Sequence, residues 1–211
     1  MARPKGRQSA EVARQTKHAI LKAAGRQFAA QGFRATSVRD IAAEAGTTHG
    51  LIRHHFGSKE ELWRAVVRDF AEQVAALQLS LREELDATDP LELMRTLSIA
   101  FLRQSAAMPE ISRLVLLDCV EPGPRLDYLV DNLLPVHVGM EPLFERVQAA
   151  GHLVHHDNNS FFIFLIMVGV LPFTLADFTN RFYPEDVRTK DGIEAHIQRV
   201  SLTLFGEPRA P

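Results

Sequence analysis

Apolar residues recur along this chain at steps of three and four, the period of a helix buried on one side. Ile20, Ala24 and Phe28 form the first such stripe, on a helix predicted over about residues 10–31. Gly32 ends that helix, and Phe33 is placed to fold back over its last turn. Ser37 then opens a short helix as its N-cap, with Asp40 as the acidic half of a capping box and Ile41, Ala42 and Ala45 as a narrow apolar face. Small side chains there let the next helix approach closely. Gly46 supplies the left-handed break, Thr48 caps a second short helix, and Ile52 and Phe56 face inward. Thr48, His49, Leu51, Arg53 and His55 are left facing out.

After Gly57, Ser58 caps a long helix, with Glu61 completing a capping box. Leu62, Val66, Phe70, Val74, Leu77, Leu81 and Leu85 line one side of this rod of roughly 40 Å. Asp89 and Pro90 open the next helix, which carries Met94, Leu97, Phe101 and Leu102, and Pro109 opens another that stops at the turn of residues 121–124. Residues 125–150 read as a helical region bent at Pro135 and Pro142 and closed by Gly151, and the last two helices are predicted over 158–181 and 192–205. No segment alternates long enough to make a strand. The fold class is therefore all-α, with about nine helices in two domains, 1–58 and 59–211.

Composition sharpens this picture through its distribution. Residues 1–59 hold 11 of the 24 lysines and arginines but only 3 of the 26 acidic residues, so a basic head precedes an acidic body. Such a head fits a polyanion partner. The first ten residues, with Arg3, Lys5 and Arg7, read as a flexible basic arm able to reach phosphates or the minor groove. No apolar core follows the basic start, as a targeting segment would need. The single cysteine, Cys119, excludes an internal disulfide framework, suits a reducing cytoplasm, and is expected to be buried in its apolar run. Phe161–Ala176, the most apolar stretch, is 16 residues long and holds Gly169 and Pro172, which favours a buried interface helix over a membrane span.

Candidate chemistry is sparse. His152, His155, His156 and Asp157 have the residue types of a Zn, Ni or Cu site, but they lie in a connection where polar residues belong, and Asp157 is placed to cap the next helix. No metal site, cofactor or catalytic constellation is assigned: the chain lacks a G-x-S-x-G elbow, a Gly-rich phosphate loop and H-E-x-x-H. The chain is not expected to be an enzyme.

The chemistry that remains lies between Ser37 and Lys59, where two short helices meet at Gly46 as a helix-turn-helix with a polar outer face. The run from Ile20 to Leu62 resembles the DNA-binding domain of the TetR (tetracycline-repressor) family. The matching features are Phe28, Gly32 and Phe33, then Ile41-Ala42, Ala45-Gly46, Gly50, His55-Phe56, Lys59 and Leu62. Thr47 and Arg53 depart from it, standing where a valine and a tyrosine are usual.

On these grounds the DNA-contacting set is Ser37, Arg39, Thr47, Thr48, His49, Gly50, Leu51, Arg53, His55 and Lys59, with Lys59 on a phosphate as the resemblance implies. The resemblance also implies a small-molecule pocket inside the second domain, for which Met94, Leu97, Phe101, Leu116, Phe164 and Met167 are candidates, and a homodimer through the last two helices. Phe162, Ile166, Val170, Ile197, Val200 and Leu204 are the candidate interface. The expected function is a cytoplasmic, ligand-responsive repressor of a palindromic double-stranded operator, released by an apolar or aromatic effector. The alternatives are a metal-responsive regulator using the histidine cluster and a membrane-associated helical protein.

Overall fold

The computed structural model describes residues 5–85 and 89–207, with side chains described for 11–80 and 89–207. Among the described residues every regular element is a helix. They are α1 (Lys5–Ala35), α2 (Val38–Glu44), α3 (His49–Phe56), α4 (Lys59–Leu85), α5 (Pro90–Ala107), α6 (Pro109–Cys119), α7 (Pro124–Val138), α8 (Glu141–Ala149), α9 (Asn158–Phe164), α10 (Leu171–Thr174), α11 (Ala176–Thr179) and α12 (Lys190–Phe205), with a π-helical turn over Leu165–Val170. They pack as two units, one holding the chain through Phe70 together with Arg113–Leu129, the other Ala71–Ser112 and the chain from Val130 onward.

In the first unit the apolar stripe of α1 is buried as its spacing requires: Ile20, Ala24 and Phe28 are sealed from solvent, as are Ile41 and Ala42 of α2, Ile52 of α3 and Leu62, Trp63 and Val66 of α4. Gly32 interrupts α1 at φ 74, ψ 165, a conformation that favours glycine, and Phe33 beyond it stacks on Phe28 with ring centroids 5.7 Å apart. The start of α1 differs from expectation. Residues 5–10, expected as a flexible arm, are helical, because nothing after Pro4 interrupts the hydrogen-bond ladder. Arg3 and the side chains of Lys5 and Arg7 lie outside the described residues.

In the second unit Leu91, Met94, Leu97 and Leu102 of α5 share one core with Leu143, Phe144 and Val147 of α8, Phe161 of α9, Phe173 of α10 and Ile197 and Val200 of α12. Asp89 caps α5 as its position before Pro90 foretells, accepting from the Leu91 amide at 2.8 Å. Asp157 caps α9 through a reciprocal pair with Ser160. Arg95, 5% exposed, closes the far end of α12: its guanidinium donates to the carbonyls of Phe205 and Gly206 and to Ser201 Oγ. Those carbonyls have no partner further along the helix, so the buried charge has acceptors to spend itself on.

The helix expected over 158–181 is instead broken twice. The ladder widens to a π turn between Leu165 and Val170, and the helix stops at Leu175 before the short α11. Pro172 contributes to the first break, since it has no N–H to return to the carbonyls before it. His196, fully buried on α12, donates across that gap, its Nε2 lying 3.0 Å from the Gly169 carbonyl oxygen. Gly169 is itself held tight: a Cβ there would meet Leu102 Cδ2 at 2.5 Å.

Candidate nucleic-acid interface

Local rules set the geometry of α2 and α3. Ser37 Oγ accepts from the Arg39 amide at 3.2 Å, so the capped group is Arg39 in place of the expected Asp40. After α2 the Gly46 amide bonds to the Ala43 carbonyl and the Thr47 amide to that of Ala42, a closure that needs the left-handed φ of 63 at Gly46. Thr48 Oγ1 then accepts from the Leu51 amide at 3.2 Å and starts α3. With Ile52 anchored in the core, Thr48, His49, Gly50, Arg53 and His54 face solvent, while Leu51, His55 and Phe56 are half-buried. Arg39 is exposed, and Ser37 and Thr47 are half-buried at the same edge. A Cβ on Gly50 would meet only Thr48 Oγ1, at 3.9 Å, so nothing inside the chain requires glycine there.

Three ties hold this pair against α1 and α4. Thr36, 3% exposed, donates its hydroxyl to the Gly32 carbonyl at 2.8 Å. Glu44 of α2 accepts from Gln27 and Arg26 of α1, and the Gln27 bond foremost keeps its carboxyl below the usual range. Lys59, in the first turn of α4 after Ser58 has capped the Glu61 amide, donates to the carbonyls of Thr36 at 2.9 Å and Arg34 at 3.3 Å and sits 4.6 Å over the Phe33 ring. Glu61, expected to reach back to Ser58, pairs with Arg64. Sequence pattern alone misses the Lys59 and Thr36 ties, which depend on how the end of α1 meets the start of α4.

Residues 20–66 match the model of the family described as bacterial regulatory proteins, tetR family. The matched span runs from the first buried stripe of α1 through the start of α4 and contains both helices of the turn. Through this domain the chain is similar to the TetR family. It is 40% identical over 81 residues to the HTH-type transcriptional repressor KstR2 of Mycolicibacterium smegmatis, an alignment covering 38% of each chain. It is 38% identical over 91 residues to the HTH-type transcriptional regulator TtgR of Pseudomonas putida, covering 43% of each. The alignments thus span about two fifths of the length of these curated relatives. In fold the likeness is wider. The ketosteroid transcriptional regulator KstR2 of Mycobacterium tuberculosis superposes over 92% of this chain and 95% of its own with a TM-score of 0.67 at 22% identity. The fatty acid degradation regulator FadR of Bacillus halodurans does so over 91% and 99% with a TM-score of 0.69 at 20% identity.

Beyond the TetR-type head, the predicted positions scatter. Of the six pocket candidates, Leu116 belongs to the first unit and the other five to the second. Met94 and Leu97 are fully packed core, Phe101 is half-buried against it, and Phe164 and Met167 are 39% and 48% exposed, so in the single chain these two wall no interior space. Of the interface candidates, Val170, Ile197 and Val200 are buried in their own core and present no surface; Phe162, Ile166 and Leu204 are half-buried. The large apolar side chains left open on this part of the chain include Ile163, Phe164, Met167, Leu175, Phe178, Phe182 and Leu202.

Among the described residues no group of three or more His, Cys, Asp or Glu is placed to hold a metal ion. His156 instead meets the edges of Phe161 and Phe164, while Asp157 serves as the cap already described. Cys119, expected buried, is exposed at the end of α6, where the apolar run outlasts the core. Partial desolvation, then the neighbouring Asp118 charge, push its thiol pKa up and leave it a poor nucleophile. No helix among the described residues is long and apolar enough to cross a membrane.

Proposed function

We propose that the chain is a ligand-responsive transcriptional repressor, not an enzyme, which binds a palindromic double-stranded operator as a homodimer and releases it on taking up an apolar effector. The observation that carries this reading is the outer face of α3: Ile52 buried beneath, His49, Arg53 and the bare backbone of Gly50 above, on a helix whose start Thr48 fixes. His49 and Arg53 read base edges in a major groove, Arg53 as a guanidinium suited to guanine. Thr47, Thr48, Leu51 and His55 line the groove wall, and Ser37 and Arg39 meet the flanking phosphates. Gly50 lets a strand approach the helix backbone, since the chain itself has no use for the missing side chain. Lys59 has two of its three N–H donors on carbonyls, which leaves one for a phosphate at the N-terminus of α4.

Dimerisation through the exposed Ile163, Met167, Phe178, Phe182 and Leu202 supplies the second head that a palindrome requires. The effector is hydrophobic. The core around Met94, Leu97 and Phe101 is aliphatic and aromatic, and proteins similar in fold are named for ketosteroids and fatty acids. Its binding to the second unit favours one course of α4, the helix that starts at Lys59, and so reweights the spacing of the two heads. As a repressor of this kind the protein works in the cytoplasm.

Selection of bound duplexes from a random library, with affinity followed across a salt series, tests the reading. A two-fold symmetric motif is the expected result. Binding without any preferred sequence at every salt concentration would overturn it.

A further inference from the structure

Asp118 lies far along the chain from the helix-turn-helix, yet its carboxylate is held on both oxygens within the first unit. Oδ2 accepts from the Trp63 indole N–H at 2.9 Å, and Oδ1 accepts from Arg125 Nε at 2.8 Å. Its side chain is 11% exposed and that of Arg125 29%. A carboxylate this enclosed is stable only while both partners stay.

Arg125 does not end with Asp118. Its guanidinium lies 4.5 Å from the centre of the Phe33 ring, the same ring that Lys59 covers at 4.6 Å. Phe33 follows the left-handed Gly32 and precedes the Arg34 and Thr36 carbonyls that accept from Lys59. Ser37, the cap of α2, comes next. One path of direct contacts therefore runs from Asp118 through Arg125 and Phe33 to the residue that starts the helix-turn-helix. One turn further along α7, Tyr128 packs on Trp63 at 5.7 Å and its hydroxyl accepts from Arg68 at 3.2 Å, so the start of α7 is fixed to α4 as well as to the end of α1. The turn between α6 and α7 is stiff, with Pro122 and Pro124 fixing φ on either side of Gly123.

We infer that Asp118 is a positioning residue for the head: by holding Arg125 over Phe33 it sets the turn between α1 and α2, and hence the presentation of α3, without touching nucleic acid. The chain enters this cluster from the second unit along α6 and returns to it along α7. The inference rests on the reading of the chain as a DNA-binding regulator.

Simple electrostatics and the latch give opposite expectations for Asp118. Asp118→Asn removes a negative charge, which by charge alone tightens binding to DNA, whereas Arg125→Met removes a positive one and weakens it. If Asp118 acts through Arg125, both variants weaken binding to the selected duplex, each by about tenfold, and the double variant is no weaker than either. The slope of affinity against salt stays that of the wild type, since no phosphate contact is lost. Trp63 is the only tryptophan in the chain, so a change in its emission reports whether the indole has lost its carboxylate partner. Should Asp118→Asn fail to fold, Arg125→Lys, which keeps the charge but not the planar fork, carries the same expected loss.

Asp118→Asn binding as tightly as wild type or more tightly overturns the latch, and so does additive loss in the double variant. If the wild type selects no duplex, the regulator reading falls, and amide exchange at Thr36 decides the latch alone. Its amide bonds to the Gly32 carbonyl, so faster exchange in Asp118→Asn supports the path and unchanged exchange refutes it.

Discussion

Gly50 separates what the chain needs from what a partner needs. Within a helix glycine is less stable than alanine by about 1 kcal/mol, and here a Cβ would touch only Thr48 Oγ1, at ordinary contact distance. Gly50→Ala should therefore raise the melting temperature slightly while weakening operator binding by at least tenfold, about 1.4 kcal/mol. Unchanged affinity in a gel-shift or anisotropy titration would mean that no strand approaches the α3 backbone. Single residues are also where the sequence is easiest to read. Gly46 and Thr48 behave as their types require because a positive φ or a cap is decided within four residues of chain, and Ile52 is buried because α3 has only one apolar side to offer. Asp118, Arg125 and Phe33 give no such signal: the contact that brings Arg125 to Phe33 joins residues far apart along the chain, and no periodicity encodes that.

Among the elements, α12 is held at both ends by groups that the pattern of apolar residues does not reveal. Thr189 caps its start, and Arg95 takes up the carbonyls at its end. Arg95→Met, which keeps much of the volume but no donor, should cost roughly 3 kcal/mol in urea unfolding, the worth of several hydrogen bonds to a charged group. A loss below about 1 kcal/mol would show that the carbonyls find water instead. His196, midway along the same helix, ties stability to pH. Burial first, with Arg199 adding to it, lowers its pKa from the ordinary value, against the raising effect of the Gly169 carbonyl. The folded state thus prefers the neutral ring: the stability due to this group is fully present above about pH 6.5 and is lost as pH falls from there toward the depressed folded value. Wild type should melt progressively lower on acidification through that window, and His196→Gln should flatten the trend. A parallel pH profile in the variant would place the sensitivity elsewhere.

For the molecule as a whole, the proposed pairing of two copies turns on which surface would join them. A stretch apolar nearly all round carries no phase by which to tell core from interface, which is why sequence pattern offers Val170, Ile197 and Val200 as contact residues when they are core. The same ambiguity misplaces Phe164 and Met167. Phe178 and Phe182, 65% and 73% exposed with their rings 5.1 Å apart, are the stronger anchors. Phe178→Asp with Phe182→Asp should leave helix content intact and convert the proposed dimer to monomer in sedimentation velocity, with operator affinity falling in step. A double variant that still sediments as a dimer would move the interface off this face.

The π turn at Leu165–Val170 bears on how such surfaces change between related chains. Each residue of an α-helix advances the direction of its side chains by about 100°, and a π turn is one residue more than the α ladder needs over the same path. Deleting a single residue between 165 and 170 would let the segment close as plain α-helix over the same path, with the helix beyond it kept in phase. Phe173 would stay in the core. The same loss of one codon in the regular turns of α12 would rotate every later side chain by about that angle, so the π turn is a place where chain length can change while the outer face is kept.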